Sequence, residues 1–103
     1  MKPTPKQEIM ANFFNALAHP RRQMIFKVLQ EAGSHGLPFH RLLHRTGLKR
    51  ATLAFHLGKM GAGRIIKRRV KGSETWLTLD YAPFFMYHEP LNGLSKKPPM
   101  AVK

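Results

Sequence analysis

The apolar residues in the first third of the chain recur every three or four positions. This spacing predicts two helices, over residues 7–18 and residues 20–32. Pro20 suits the first turn of the second helix, because the N–H groups of a first turn have no intrahelical partner and proline lacks this group. Gly33 suits the position after the last turn of that helix. Residues 1–6 contain two prolines and are predicted to form a flexible N-terminal arm.

A short helix and a longer one come next, joined by a tight turn that contains glycine. Pro38 is placed to start the short helix and Gly47 to close it. The longer helix is predicted over residues 49–60. Two helices joined in this way form a helix-turn-helix, in which the second helix is the one that enters a DNA groove. The expected core face of that helix consists of Leu53, Leu57 and Met60.

A β-hairpin is predicted after the fourth helix. Its strands are residues 65–70 and 75–79, and the intervening segment has turn composition. The expected fold is therefore mainly α with a small β-hairpin wing, a winged helix-turn-helix. The folded domain is predicted over residues 7–90, with dimerisation helices at its two ends. Residues 91–103, which are basic and contain proline, are predicted to form a disordered tail.

The charge of the chain indicates what kind of partner the domain binds. There are 18 Lys and Arg against 5 Asp and Glu, which gives a formal net charge of +13. No acidic residue lies between Glu31 and Glu74, whereas ten lysines and arginines do. A field of one sign across several elements points to an anionic partner, most simply nucleic acid.

Composition also removes several classes of protein from consideration. The chain has no cysteine, so disulfides, cysteine-ligated metal sites and thiol redox sensing are excluded. No apolar run has the length of a membrane span and no signal-peptide core is visible, so the expected location is the cytoplasm. No catalytic constellation and no cofactor motif is found, and we expect a binding protein rather than an enzyme.

Candidate DNA contacts cluster on the fourth helix and the wing. Lys49 and Arg50 stand at a helix N-terminus, where the helix dipole disfavours cations unless an anion compensates. Phe55 should point away from the core, and His56 could contact phosphate or make a structural hydrogen bond. Because side chains alternate along a strand, three wing cations should share one face. The predicted contacts are Lys49, Arg50, Thr52, Phe55, His56, Lys67, Arg69, Lys71 and Arg21 at the start of the second helix.

Apolar residues are in surplus at the two ends of the domain. Leaving such surface exposed on a small domain is costly, and we therefore expect a homodimer. A short aromatic helix is expected near the C-terminal end, begun by Pro83. The predicted dimerisation residues are Ile9, Phe13, Leu17, Phe84 and Phe85.

Three segments carry a resemblance to a known family. The stretch ALAHPRRQMIFKVL contains Leu17, Ala18, Pro20 and Arg22, and TGLKRATLAFHLGKM contains Gly47, Leu48, Thr52, His56 and Leu57; Gly72 and Leu79 match in the wing. In these residues the chain resembles the arsenic-repressor-type (ArsR-type) bacterial transcriptional regulators.

The resemblance implies a homodimeric repressor that binds a palindromic DNA operator, and it leaves room for an unknown small-molecule effector. It also implies that Arg22 is a structural ion-pair partner. The family's metal-binding cysteines are absent, with Pro38 and His40 at the usual ligand positions. At the last helix only Asp80, His88 and Glu89 hint at the family's second metal pattern.

Two other functions remain open from the sequence. His40 and His44 stand four residues apart on the short helix, a spacing that can bind zinc, so a metal or ligand sensor is one alternative. An RNA-binding or ribosome-associated basic protein is the other. The second alternative should show aromatic stacking motifs for RNA, and none is visible.

Overall fold

Helices and one small sheet make up the part of the chain that the computed structural model describes, residues 1–87. The predicted tail 91–103 and the end of the predicted domain at residue 90 lie outside the described residues. The mainly α fold with a β-hairpin wing is confirmed. The elements are α1 (Pro5–Leu17), α2 (Pro20–Ala32), β1 (Leu37–Pro38), α3 (Phe39–Thr46), α4 (Arg50–Ala62), β2 (Ile66–Lys71), β3 (Glu74–Leu79) and α5 (Ala82–Met86).

Helix α1 begins two residues earlier than predicted, which corrects the boundary of the N-terminal arm. A capping box fixes this start. The Thr4 hydroxyl accepts from the Gln7 amide at 3.1 Å, and the Gln7 side chain accepts from the Thr4 amide at 2.9 Å. Pro5 occupies the first helical turn, where its missing N–H costs nothing. The proline that suggested a loose arm therefore belongs to the helix.

The predicted helix-turn-helix is confirmed as α3 and α4. Gly47 closes α3 with φ of +69°, a left-handed conformation that glycine adopts without steric cost. The core face of α4 is also as predicted, since Leu53, Leu57 and Met60 are fully buried. No helix within residues 1–87 is long and apolar enough to cross a membrane.

The sheet has a third strand that the sequence did not reveal. Its order is β1-β3-β2, with Leu37 opposite Leu77 and Pro38 opposite Trp76. Two residues are too few to show the alternation by which a strand is recognised in a sequence. Gly36 permits the approach: its φ is +72°, and a Cβ atom there would overlap the Leu77 carbonyl. The base of the hairpin is thereby attached to the segment that leads into α3.

Close packing of α1 on α4 depends on Gly63. A Cβ atom there would lie 2.5 Å from the Ala16 Cβ and 2.6 Å from the Asn12 carbonyl oxygen. Because that oxygen belongs to backbone, it cannot rotate away. We expect Gly63→Ala to lower the free energy of unfolding by about 1–2 kcal/mol, the range for overpacking.

Gly58, within α4, is the matched control for Gly63 at the C-terminal end of that helix. Among residues 1–87, a Cβ atom at Gly58 would meet nothing within 4 Å, so Gly58→Ala should raise the free energy of unfolding by up to about 1 kcal/mol through helix propensity alone. Urea unfolding of both variants would check the pair. Equal effects would contradict the close approach of α1 to α4.

Candidate nucleic-acid interface

The N-terminus of α4 is cationic and carries no side-chain cap. Lys49 is the N-cap residue, its side chain makes no capping hydrogen bond, and the first turn contains no acid. By contrast, side chains of Thr4 and His19 cap α1 and α2. Lys49 and Arg50 are exposed, and the Arg50 guanidinium lies 5.3 Å from the centre of the Phe39 ring. The free amides and both cations are therefore available to an anion.

The outer face of α4 is built around Phe55. This side chain is 57% exposed, as the sequence predicted for an outward-pointing residue. The Lys59 ammonium lies 5.6 Å from the centre of its ring, and the His56 ring meets it edge-on at 5.3 Å. Thr52 is only half-buried at the side of this face.

His56 does not belong to this face, which corrects its predicted role in DNA contact. It is only 3% exposed, and its Nδ1 accepts a hydrogen bond from Arg22 Nε at 3.2 Å. Burial, reinforced by the neighbouring charges of His19, Arg22 and Arg21, lowers the pKa of the His56 imidazole below its usual value. The structural hydrogen bond that the sequence left open is the one observed.

Arg22 connects three helices, and among residues 1–87 it has no carboxylate partner. Besides His56 on α4, its guanidinium donates to the backbone and side-chain oxygens of Asn15 on α1. The ion pair implied by the resemblance is thus replaced by an imidazole, a carbonyl and an amide. The preceding residue, Arg21, is exposed and remains a candidate phosphate contact.

The burial of His56 makes fold stability depend on pH. With its pKa lowered in the folded state, His56 stays neutral there while the unfolded chain takes up a proton near the ordinary histidine value of about 6.5. The unfolded state therefore binds more protons, and stability should fall as pH drops below about 6.5.

Urea unfolding at several pH values would measure this loss. His56→Gln should flatten the dependence, whereas His35→Gln, at an exposed position, should retain it. A wild-type stability that stays constant under mild acidification would contradict the assignment.

The wing presents its cations on two faces, and the predicted trio faces outward. Residues directly opposite each other in an antiparallel pair lie on the same face of the sheet. Arg68 pairs with Leu77, which is completely buried, so Arg68 shares the inner face that meets the helices. Lys67, Arg69 and Lys71 alternate with it and share the outer face, as predicted.

Arg68 lines a groove with the start of α4. The groove has a volume of about 430 Å³, and its wall includes Arg50, Phe39 and the wing residues Ser73 to Thr75. Arg68 was not among the DNA contacts predicted from the sequence. Its position could have been found from Ile66, an apolar residue two positions earlier on the same face of β2.

The outer-face cations have different neighbours. The Lys71 ammonium lies 4.5 Å from the centre of the Trp76 ring. Lys67 and Arg69 line a cleft of about 320 Å³ together with Ser34 and the end of α2. The structure therefore brings together Arg50 and Arg68, and it does not bring the predicted wing trio to the same groove.

Few of the cations in residues 1–87 form an ion pair within that part of the chain. Among residues 1–87 the ion-pair contacts are Arg45 with Glu31 at 3.4 Å and His40 with Glu74 at 3.5 Å. In the same part of the chain, no group of three histidine, aspartate or glutamate side chains could hold a metal ion. His40 thus has a carboxylate partner across the groove, and the zinc alternative with His44 gains no third ligand from the described residues.

The predicted dimerisation residues divide between core and surface. Phe13 is only 3% exposed and packs on Phe84 and Tyr87, with ring centres 5.1 and 4.9 Å apart, so it belongs to the core of a single chain. This burial corrects its assignment to a dimer interface. Phe85, in contrast, is 79% exposed and Ile9 is 38% exposed. The partly buried Leu17 and Phe84 lie against the core.

No protein-family model and no curated protein sequence matches the chain. Solved structures do match it. An ArsR-family transcriptional regulator is 19% identical, with a TM-score of 0.73 over 91% of this chain and 92% of that one. NolR from Sinorhizobium fredii is 24% identical, with a TM-score of 0.60 over 91% and 96%.

A third structure is the homodimeric winged helix-turn-helix DNA-binding domain from Mycobacterium bovis. It is 20% identical, with a TM-score of 0.65 over 84% of this chain and 80% of that domain. These likenesses agree with the order of helices and strands described above. The chain has the winged helix-turn-helix fold of ArsR-type transcriptional regulators.

Proposed function

We propose that this protein is a sequence-specific, double-stranded DNA-binding transcriptional regulator that acts as a homodimeric repressor on a palindromic operator. The observation that carries the proposal is the uncapped, cationic start of α4, with Arg50 and Arg68 on the two sides of one groove. The fold is the one in which the second helix of the helix-turn-helix enters the major groove.

The charges of the interface suit a duplex. Arg50 can donate two parallel hydrogen bonds to guanine, and the free amides at the start of α4 can hold a phosphate. Arg68 projects from the wing toward the same groove, where the adjacent backbone would run. Glu74 also lines the groove, and its carboxylate lies 3.5 Å from His40 Nδ1.

The proposed dimer interface is formed by α1 and α5, the first and last helices of the described residues. Ile9 and Phe14 on α1 and Phe85 and Met86 on α5 leave apolar side chains exposed. Covering such side chains with a second copy would place two α4 helices in one assembly. The homodimeric domain from Mycobacterium bovis has the same fold. The small-molecule effector implied by the resemblance stays a prediction.

Selection from a random duplex pool tests the proposed function. We expect enrichment of a palindrome whose half-sites lie about one helical turn apart, as the symmetry of a dimer requires. Sedimentation at micromolar concentration should show a dimer. Equal binding to all duplexes would contradict the proposed sequence specificity. Stronger binding to structured RNA in competition would contradict the proposal and favour the RNA-binding alternative.

A further inference from the structure

The outward face of α4 has an unusual composition for a helix that would read DNA. Ala51, Ala54, Phe55, Gly58 and Ala62 are exposed and recur at helical spacing along one side. None of these side chains can donate or accept a hydrogen bond. Arg50 and Lys59 stand beside this apolar face, so that any hydrogen bonding to base edges is confined to its margins.

An apolar face can distinguish bases in one way only. In the major groove, the base pairs differ in hydrogen-bond donors and acceptors and in the C5-methyl group of thymine. Alanine and phenylalanine side chains are blind to the donors and acceptors, but they make favourable contact with a methyl group. The thymine methyl group is therefore the feature of a base pair that the apolar face of α4 can recognise.

Phe55 is held in place before any partner arrives. The His56 ring stands edge-on to it at an interplanar angle of 73°, and His56 is itself fixed by Arg22. The Lys59 ammonium lies over the Phe55 ring, 5.6 Å from the ring centre. A ring that already has two such neighbours loses less conformational freedom on binding, which favours its use as an anchor.

Gly58, on the exposed side of α4, supports the same conclusion. Glycine inside a helix costs about 1 kcal/mol relative to alanine, and none of the residues that the structure describes would obstruct a Cβ atom at Gly58. Internal packing thus gives no reason for glycine here. One turn after Phe55, its missing side chain lets a groove wall approach the phenyl ring.

We propose that α4 reads C5-methyl groups in the major groove through Phe55, so that the preferred half-site carries thymine where this ring lies. The inference rests on the proposed DNA-binding function. The charge complementarity of Arg50, Lys59 and the acid-free segment commits the face to DNA rather than to a protein. A cytosine methylated at C5 presents the same methyl group and should be recognised in the same way.

The test replaces the thymines of a duplex enriched from the random pool by 2′-deoxyuridine, one at a time, which removes only the methyl group. At one position of each half-site the affinity should fall about fourfold, the ratio that corresponds to about 0.8 kcal/mol for a buried methyl group. Phe55→Ala should bind the thymine and uracil duplexes equally. Phe55→Leu, which keeps an apolar contact, should retain part of the difference.

Methylation of a cytosine in the duplex gives a second, independent test that uses the wild-type protein. A cytosine placed at the sensitive position should gain about fourfold in affinity when its C5 is methylated. The salt dependence of binding should not change in any of these comparisons, because no phosphate contact is altered.

Several results would overturn the inference. They include uracil duplexes that all bind as tightly as the thymine duplex, and a Phe55→Ala variant that keeps the thymine preference. A Phe55→Ala variant that loses only the dimer would also overturn it, by assigning the ring to a protein contact. Failure to enrich any duplex would overturn the proposed function as well, whereas enrichment followed by equal affinities would overturn this inference alone.

Discussion

Replacing Arg22 by alanine is expected to lower the free energy of unfolding by about 3 kcal/mol, the scale set by losing charged hydrogen bonds and leaving the buried His56 acceptor unpaired. Arg22 is 6% exposed and donates to His56 and to both oxygens of Asn15. Its removal leaves the His56 nitrogen and the Asn15 carbonyl without this donor. The loss affects α1, α2 and α4 together.

Two further variants sharpen this prediction. Arg22→Lys keeps the charge but cannot reproduce the planar fork that reaches both partners, so most of the loss should remain. Lys27→Ala removes a cation from the exposed side of the same helix and should be nearly neutral. Urea unfolding of the three variants provides the comparison. A stable Arg22→Ala protein would mean that the buried network contributes little.

Replacing Arg50 by alanine is expected to cost roughly 1–3 kcal/mol on the enriched duplex and much less on random DNA, if its guanidinium makes a bidentate contact with guanine. Its position at the uncapped start of α4 supports this role. Binding titrations on the two duplexes at several salt concentrations would measure it. Equal losses on both duplexes would assign Arg50 to phosphate instead.

The wing provides the contrast to this variant. Arg68→Ala should weaken both duplexes alike and reduce the log–log salt slope by about one unit, as a phosphate contact would. Arg69 and Lys71, which the sequence predicted as DNA contacts, project from the opposite face of the wing. Lys67→Ala is the matched control from that face. A larger effect at Lys67 than at Arg68 would mean that the outer face meets the backbone.

The elements that the sequence revealed are those with local signals. Pro20 and Gly33 mark the ends of α2, and Pro38 and Gly47 mark those of α3, because their backbone requirements are local. Strand β1 had no such signal, since its two residues become a strand only by pairing with β3. The start of α1 was misjudged because Pro5 suits both a loose arm and a first helical turn.

The candidate interface was harder to predict than the fold. Exposure of Phe55 followed from the helical period, but the burial of His56 depended on Arg22, 34 positions away. The inner wing face had one local signal, Ile66, and the pairing of Arg68 with Leu77 establishes it. Phe13 was apolar and near a terminus, yet only the position of Phe84 and Tyr87 placed it in the core. Long-range contacts of this kind leave no mark on local periodicity.

The two outer strands of the sheet also bear on the solubility of the chain. An edge strand presents free backbone groups that can recruit a strand from another molecule and begin aggregation. Strand β1 has only two residues, and Pro38 offers no N–H to a newcomer. Strand β2 carries Lys67 through Arg69 and Lys71, so two such edges would repel each other. A sheet bounded in this way resists growth into fibrils, and it should lose part of that protection in concentrated salt, where the repulsion is screened.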